Sequence, residues 1–187
     1  MKRTFVLMAV AVFLTCGIST AVAGEKPSQK IIDFANTELV KLGTDPVIVK
    51  AVKEENAKGK TLGQIQEKDK TWRATPGIAD YMKAIMESEC GQHLRTIQKS
   101  APFYAEIFVM DNQGANVAMT DKTSDYWQGD EAKFKKSFNG GSGAVFVDNI
   151  KFDESSQTYL SQVSVPVKDG GQVIGAVTIG IDVDKVK

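Results

Sequence analysis

Cys90-Gly-Gln-His93 sets a thiol near the chain's single imidazole, the residue types of a metal site or of a nucleophile with its base, and Lys58-Gly-Lys-Thr61 ends like a phosphate-binding loop. Neither spacing completes the chemistry. Zinc takes three or four ligands, and the only other Cys or His is Cys16, inside an N-terminal leader. A hydrolytic triad would have to use His93, which has no Gly-x-Ser-x-Gly elbow to serve. Haem attachment through Cys-x-x-Cys-His has no match either. Glu54 stands where a phosphate loop needs its first glycine, and no apolar strand precedes it. That stretch reads as the end of one helix and the cap of the next. Asp153-Glu154 and the pair Asp182 and Asp184 lie beside turns or the chain end, where solvated charge is the ordinary state. Asp111-Asn-Gln-Gly114 lacks the spaced oxygens of a calcium loop. Enzymatic activity, a cofactor and a metal are all unexpected.

Recognition chemistry concentrates between Asp121 and Trp127. Tyr126 and Trp127 offer flat apolar area with a polar tip, Lys122 can meet a carboxylate, and Asp121, Asp125 or Asp148 can receive an ammonium group. Phe108 and Tyr159, on strands beside the expected cavity, complete the candidate ligand-binding set. Each charged residue also reads as a solvated loop residue, and Trp127 also reads as a plug in the core beneath the loop.

Period-two alternation supplies the strands that hold this segment. Tyr104 to Asp111 carries bulk on both faces, with Ala105, Ile107 and Val109 on one and Tyr104, Glu106, Phe108 and Met110 on the other, as a central strand requires. Asp111-Asn-Gln-Gly114 is a turn and Ala115 to Thr120 the returning strand. A second hairpin runs Tyr159 to Val167, then Lys168-Asp-Gly-Gly171, then Gln172 to Asp182. Ser161, Val163, Val165, Val167, Val173, Val177, Ile179 and Ile181 need a core. The opposite face is small and polar through Gln162, Ser164, Ala176, Thr178 and Gly180, which leaves room for a ligand under a lid or faces solvent. Between the hairpins, Asp130 caps an expected helix from Glu131 to Phe138 with a Glu131 to Lys135 charge pair, Asn139-Gly-Gly141 ends it, and Ala144 to Asp148 is a third strand.

The first half reads as helical. Ser28 caps a helix with a stripe of Ile31, Ile32, Ala35, Leu39 and Leu42, ended by Gly43. Asp45-Pro46 opens a second, with Ile48, Ala51 and Val52 inward, which ends near Gly59. Thr61-Leu-Gly-Gln64 matches a capping box for a third. Thr75-Pro76 opens a segment aligning Ile78, Tyr81, Met82 and Ile85, broken at Gly91 and continuing to about Ser100. These helices are expected to cover one face of the sheet. The fold expected is α+β: a PAS-like antiparallel five-stranded sheet with N-terminal helices on one face.

Ile107-Phe-Val-Met-Asp-Asn-Gln-Gly114, Thr123-Ser-Asp-Tyr-Trp-Gln-Gly-Asp-Glu131 and Val163-Ser-Val-Pro-Val with Gly175-Ala-Val-Thr-Ile-Gly-Ile-Asp182 resemble the Cache family of extracytoplasmic PAS-like sensors. The resemblance covers roughly the second half of the chain and implies recognition of small metabolites, often amino or carboxylic acids, between the sheet and the loop-helix segment. Ligand would then order the 121–130 loop. Family members generally sit between membrane helices and signal to a kinase, a chemoreceptor module or a cyclic-dinucleotide enzyme. Here Lys187 follows closely on the last expected strand, so the expected signalling partner is a separate membrane receptor or sensor kinase.

Met1-Lys-Arg, the apolar run Phe5 to Ile18 and Ala21-Val-Ala23 before Gly24 have the form of a secretory signal peptide over residues 1–23, which implies a periplasmic protein. The remainder is expected to be one domain, 24–187, with a helical region 24–100 and a sheet region 101–187. Cys90 alone remains after cleavage, so no intramolecular disulfide is expected. With 23 basic and 23 acidic residues, nothing favours nucleic acid or an anionic membrane as partner. The alternative function is an interaction module without a ligand, joined to a second copy or another protein through the N-terminal helix. An exposed stripe on Ile31, Ala35, Leu39 and Leu42 would favour it.

Overall fold

The computed structural model describes residues 24–154 and 156–186, so the leader and Cys16 lie outside the described residues. The helices are α1 (Gln29–Thr37), α2 (Pro46–Ala57), α3 (Leu62–Ala74), α4 (Asp80–Met86), α5 (Glu89–Lys99) and α6 (Ala132–Phe138), with a 3₁₀ turn at Leu39–Thr44. The strands are β1 (Tyr104–Met110), β2 (Asn116–Met119), β3 (Phe146–Val147), β4 (Lys151–Asp153), β5 (Thr158–Asp169) and β6 (Gln172–Asp182). All pairings are antiparallel in the order β2-β1-β6-β5, and β3 and β4 both pair with the free edge of β5. The expected five-strand sheet is therefore present with its outer strand broken in two. The β5–β6 turn needs positive φ at both central residues, and Gly170 and Gly171 supply 55° and 91°.

Caps read from the sequence are found. Ser28 accepts from Ile31 N, Asp45 Oδ1 from Val47 N and Ile48 N, and Thr61 and Gln64 form a reciprocal box. Side chains of α1, α2 and α5 bury Ile31, Ala35, Ile48, Val52 and Leu94 against Ile107, Val109, Val163, Val165, Val177, Ile179 and Ile181. The α1 stripe is thus sheet-facing core, not an exposed surface for a second copy. Gly43 does more than end a helix: a Cβ there would lie 2.3 Å from the Pro166 carbonyl oxygen and 3.0 Å from Val165 Cγ1, so its lack of a side chain lets the 3₁₀ turn lie on β5.

The opposite sheet face is neither empty nor solvated. α6 lies on it, and Phe134 and Phe138, stacked at 5.1 Å, pack with Phe108, Met110, Met119 and Ala176. Ser164 and Thr178 are fully buried and hydrogen-bond each other at 2.8 Å. The helical cover extends to this face too, since α3 and α4 contribute Ile65, Trp72 and Met82 to the same core.

Local readings fail where one residue of register matters. Val173 was placed with the aliphatic core, but the ladder shifts between Val167 and Lys168. Gly143 lies against both Val173 and Pro166, while Ile174 packs into the helix-facing core, so Val173 has crossed to the α6 face. Thr75-Pro76 is a turn; α4 starts at Asp80 and Ile78 is 48% exposed. The break expected at Gly91 falls at Ser88, whose side chain caps α5 by accepting from Gly91 N. Asp130 is not the α6 cap: Glu131 takes that place without a side-chain bond and pairs with Lys133 at 3.8 Å. Asp182, expected in solvent, is 1% exposed, accepts from Asp184 N and pairs with Lys185 at 2.7 Å. Gly43→Ala is expected to lower stability by about 1–3 kcal/mol through overpacking against the β5 backbone, read as a fall in urea midpoint at unchanged m-value; an unchanged midpoint would refute the close-approach role.

Candidate ligand-binding site

A carboxylate fastens the loop after β2. Asp69 of α3 is 4% exposed; its Oδ1 accepts from Tyr126 N at 2.9 Å and Trp127 N at 3.1 Å, while Oδ2 pairs with Arg73 at 3.0 Å. Trp72 Nε1 donates to Thr123 O at 2.8 Å. Lys122 Nζ donates to Thr75 O at 2.8 Å and Gly77 O at 2.7 Å. Asn116 Nδ2 donates to Thr123 Oγ1 at 2.6 Å and Asp125 O at 3.2 Å. The loop expected to wait for a ligand is already held by its own chain.

These bonds disperse the expected site residues. Tyr126 is fully buried, packed on Trp72 at 5.6 Å between ring centroids. Phe108 is core. Trp127 is half-buried and donates from Nε1 to Gln113 O at 2.8 Å; with Asp125, which faces Arg73 at 3.6 Å, it borders a cleft of about 430 Å³. Asp121 accepts from Gln98 at 2.9 Å and shares a separate cleft of about 770 Å³ with Lys122. Asp148 pairs with Lys151 at 2.8 Å beside a third, of about 240 Å³. Tyr159 is 53% exposed and meets Phe152 edge-on. The eight residues do not converge on one cavity.

Convergence occurs instead on the helical side of Tyr126. A cleft of about 420 Å³ opens between α2, α4, α5 and β2, within the range of small-molecule pockets. Lys68 of α3 reaches it half-buried, with its ammonium 4.1 Å from the Tyr126 ring centroid. Among the described residues Lys68 has no carboxylate partner, whereas Lys50 pairs with Glu89 at 2.7 Å and Lys58 with Glu55 at 2.6 Å. Burial and the nearby Lys60 charge hold the Lys68 ammonium below its ordinary value, the condition of a cation that gains from an anion. Asn116, 1% exposed, also borders the cleft, and its Oδ1 is closed to solvent and has no hydrogen-bond partner among the described residues. Because its amide nitrogen must face the Asp125 carbonyl, which only accepts, the orphan atom is the oxygen.

Neighbouring groups form the rigid wall. Lys60 bonds Glu55 and donates to the Tyr126 hydroxyl at 2.8 Å. Burial works against the Lys60 charge, but the bonds to Glu55 and Tyr126 outweigh it and hold its ammonium above the ordinary value. Burial likewise opposes Glu55, yet Lys58 and Lys60 keep its carboxyl low, and burial lifts the Tyr126 phenol. Cys90, 3% exposed at the cleft wall, is pushed by burial and by Asp45 to about 12, which leaves an inert thiol. His93 meets Asp45 Oδ2 at 2.9 Å on α5 and is an ordinary helix residue. Among the described residues no group of three or more His, Cys, Asp or Glu could hold a metal ion, and no helix is long and apolar enough to cross a membrane.

Sequence reasoning missed Asp69, Lys68 and Asn116. Asp69 had a signal: Ile65, Asp69 and Trp72 share one α3 stripe, and a carboxylate inside an apolar stripe must find buried donors. Lys68 gave none, since only tertiary packing sets it over an aromatic ring.

No protein-family model matches the chain, and no curated protein matches it. Solved structures similar to it include the sensor domain of the V. cholerae histidine kinase DctB, at 12% identity and TM-score 0.40, over 82% of this chain and 54% of that one. Another is the sensory domain of the Campylobacter jejuni chemoreceptor Tlp3 with isoleucine bound, at 14% identity and TM-score 0.40, over 82% of this chain and 60% of that one. The chain therefore spans little more than half the length of these solved chains.

Two outcomes test this electrostatic account. Asp69→Ala leaves the Tyr126 and Trp127 amides without their acceptor, at about 1–3 kcal/mol per buried orphan, so the urea midpoint should fall by more than any surface change produces. Glu106 is half-buried against Gly180, accepts from Gln162 at 2.8 Å, and is raised by desolvation above its ordinary 4.5. The folded state thus keeps this proton longer than the unfolded state: the contribution is fully present below pH 4.5 and is lost as pH rises through the folded value. Glu106→Gln should accordingly raise the melting temperature at pH 7 and leave it unchanged near pH 4; equal gains at both would sink the assignment.

Proposed function

We propose that this chain is a Cache-type sensory protein of the periplasm, exported through its leader, which binds a small metabolite such as an amino or carboxylic acid and is read by a separate membrane receptor or sensor kinase. Residues 24–187 act as one unit, the helical region 24–100 framing the site and the sheet region 101–187 forming its base. One observation carries the reading: Lys68 brings to this cleft a half-buried ammonium that lies over the Tyr126 ring and has no carboxylate partner among the described residues. A packed interior leaves such a group unpaired at a cost, and a ligand that brings an anion removes it. The sensory character of the similar domains from V. cholerae and C. jejuni agrees with this reading.

The site is rigid on the Tyr126 side and more open along α4, where Ala84 is exposed and Ile85 half-buried. Ligand would shift a population of α4 positions rather than order the loop. A thermal-shift screen of the purified protein against amino acids, carboxylates, amines and sugars should give hits confined to compounds that carry a carboxylate; saturation at 100 times Kd adds roughly 2.7 kcal/mol. Lys68→Met, which keeps the length of the side chain and removes its charge, should abolish them. Hits confined to sugars or uncharged amines would overturn the assignment of Lys68.

A further inference from the structure

A separate cleft of about 780 Å³, which shares no residue with the one beside Tyr126, lies between α1, the turn at Pro102 and Phe103, and a 3₁₀ turn at Val183–Lys185. We propose that it binds one free molecule of a zwitterionic single-chain amphiphile, of the phosphocholine or phosphoethanolamine type, with the hydrocarbon chain inside and both head-group charges on the rim. This site is independent of Lys68 and goes beyond the sensory reading above.

The interior suits hydrocarbon. Ile31 and Ile181, 3% and 0% exposed, are its most buried lining residues, and half-buried Phe34, Phe103 and Val186 stand around them. Phe34 meets Phe103 edge-on at 5.7 Å, and Phe103 meets Tyr104 at 4.7 Å, so the aromatic wall is braced by its own neighbours. An apolar chain laid on these side chains leaves water at no cost in hydrogen bonds. The volume is that of a pocket for one small ligand, which fits a single chain rather than the paired chains of a bilayer lipid.

Charge on the rim selects the head group. Lys30, Asp33, Asp184 and Lys185 border the cleft, and Lys185 is spent on Asp182 at 2.7 Å. Lys30, Asp33 and Asp184 have no ion pair among the described residues; Asp33 accepts only the neutral amide of Gln29, at 2.8 Å. One free cation and two free carboxylates therefore share one rim. Lys30 also stands in the first turn of α1, which carries no acidic side chain, so the helix amides favour the same anionic group. A head-group phosphate is placed at Lys30 and its ammonium at Asp33 and Asp184. A purely anionic head would meet the two carboxylates, a purely cationic one would meet Lys30, and a neutral head would leave both signs to water. Charge complementarity of both signs is what gives such a site its selectivity.

Isothermal titration of the purified protein, below the critical micelle concentration, with dodecylphosphocholine, dodecyl maltoside, dodecyl phosphate and dodecyltrimethylammonium tests chain and head separately. Dodecylphosphocholine should bind tightest, at least about tenfold over the maltoside and the phosphate. Its affinity should rise from the octyl to the dodecyl compound by up to about fourfold per methylene. Lys30→Gln should make the trimethylammonium compound the tightest of the four, because the carboxylates then act alone. Thr37→Trp, at an exposed position on the cleft wall, should block all four with an unchanged melting temperature, while Lys68→Met should bind dodecylphosphocholine as the parent protein does. Maltoside binding as tight as that of dodecylphosphocholine, binding intact in Thr37→Trp, or attachment to phosphatidylcholine vesicles with none to the monomeric compounds overturns the inference. So does a dimer that Thr37→Trp dissociates, which would give the cleft to a second copy of the chain.

Discussion

Two hydrogen bonds from one carboxylate govern this molecule. Asp69 Oδ1 accepts the amides of Tyr126 and Trp127 from a buried position on α3. Bonds to an ionised acceptor are the stronger kind, and here they bind a helix to a loop 57 and 58 residues away in sequence. Arg73, one turn on, balances the charge from the solvent side. Once the backbone at 126 is pinned, the Tyr126 ring must enter the core against Trp72, and its hydroxyl must find Lys60.

The space on either side of that ring follows from its position. On the sheet side, Tyr126 joins Phe108, Met110 and Phe134 in one buried core. On the helical side, the same ring becomes the floor of the open cleft, with Lys68 above it. The charges around it are sorted by geometry. Lys60 is spent on Glu55 and the tyrosine hydroxyl, while Lys68, eight positions further along the chain, lies over the π face with no ion pair among the described residues. The electrostatic asymmetry between two nearby lysines is the basis of the anion binding proposed for the cleft.

The legible parts of the fold are those set by local periodicity. Alternation across Ile107 to Met110 and across Val163 to Ile181 placed the two hairpins and identified β1 as interior. Capping chemistry at Ser28, Asp45 and Thr61 placed three helix starts, because those side chains bond amides within three residues. Val173 shows the limit. A single skipped residue in the β5–β6 ladder puts Val173 on the face opposite Val177, Ile179 and Ile181, and nothing in Val173-Ile-Gly175 announces it.

Residue chemistry, spacing and composition by themselves determined that the chain builds an antiparallel sheet with a helical cover. Only the tertiary structure decided which polar groups are left over. Asp125, Lys122 and Trp127 carried the right chemistry for a ligand and were consumed by Arg73, by backbone carbonyls and by Gln113. Lys68 and Asn116 looked ordinary and kept their capacity. A side chain's type states what it can bind, but whether it is free depends on partners brought from distant parts of the chain, and that sum is settled only when the chain has packed.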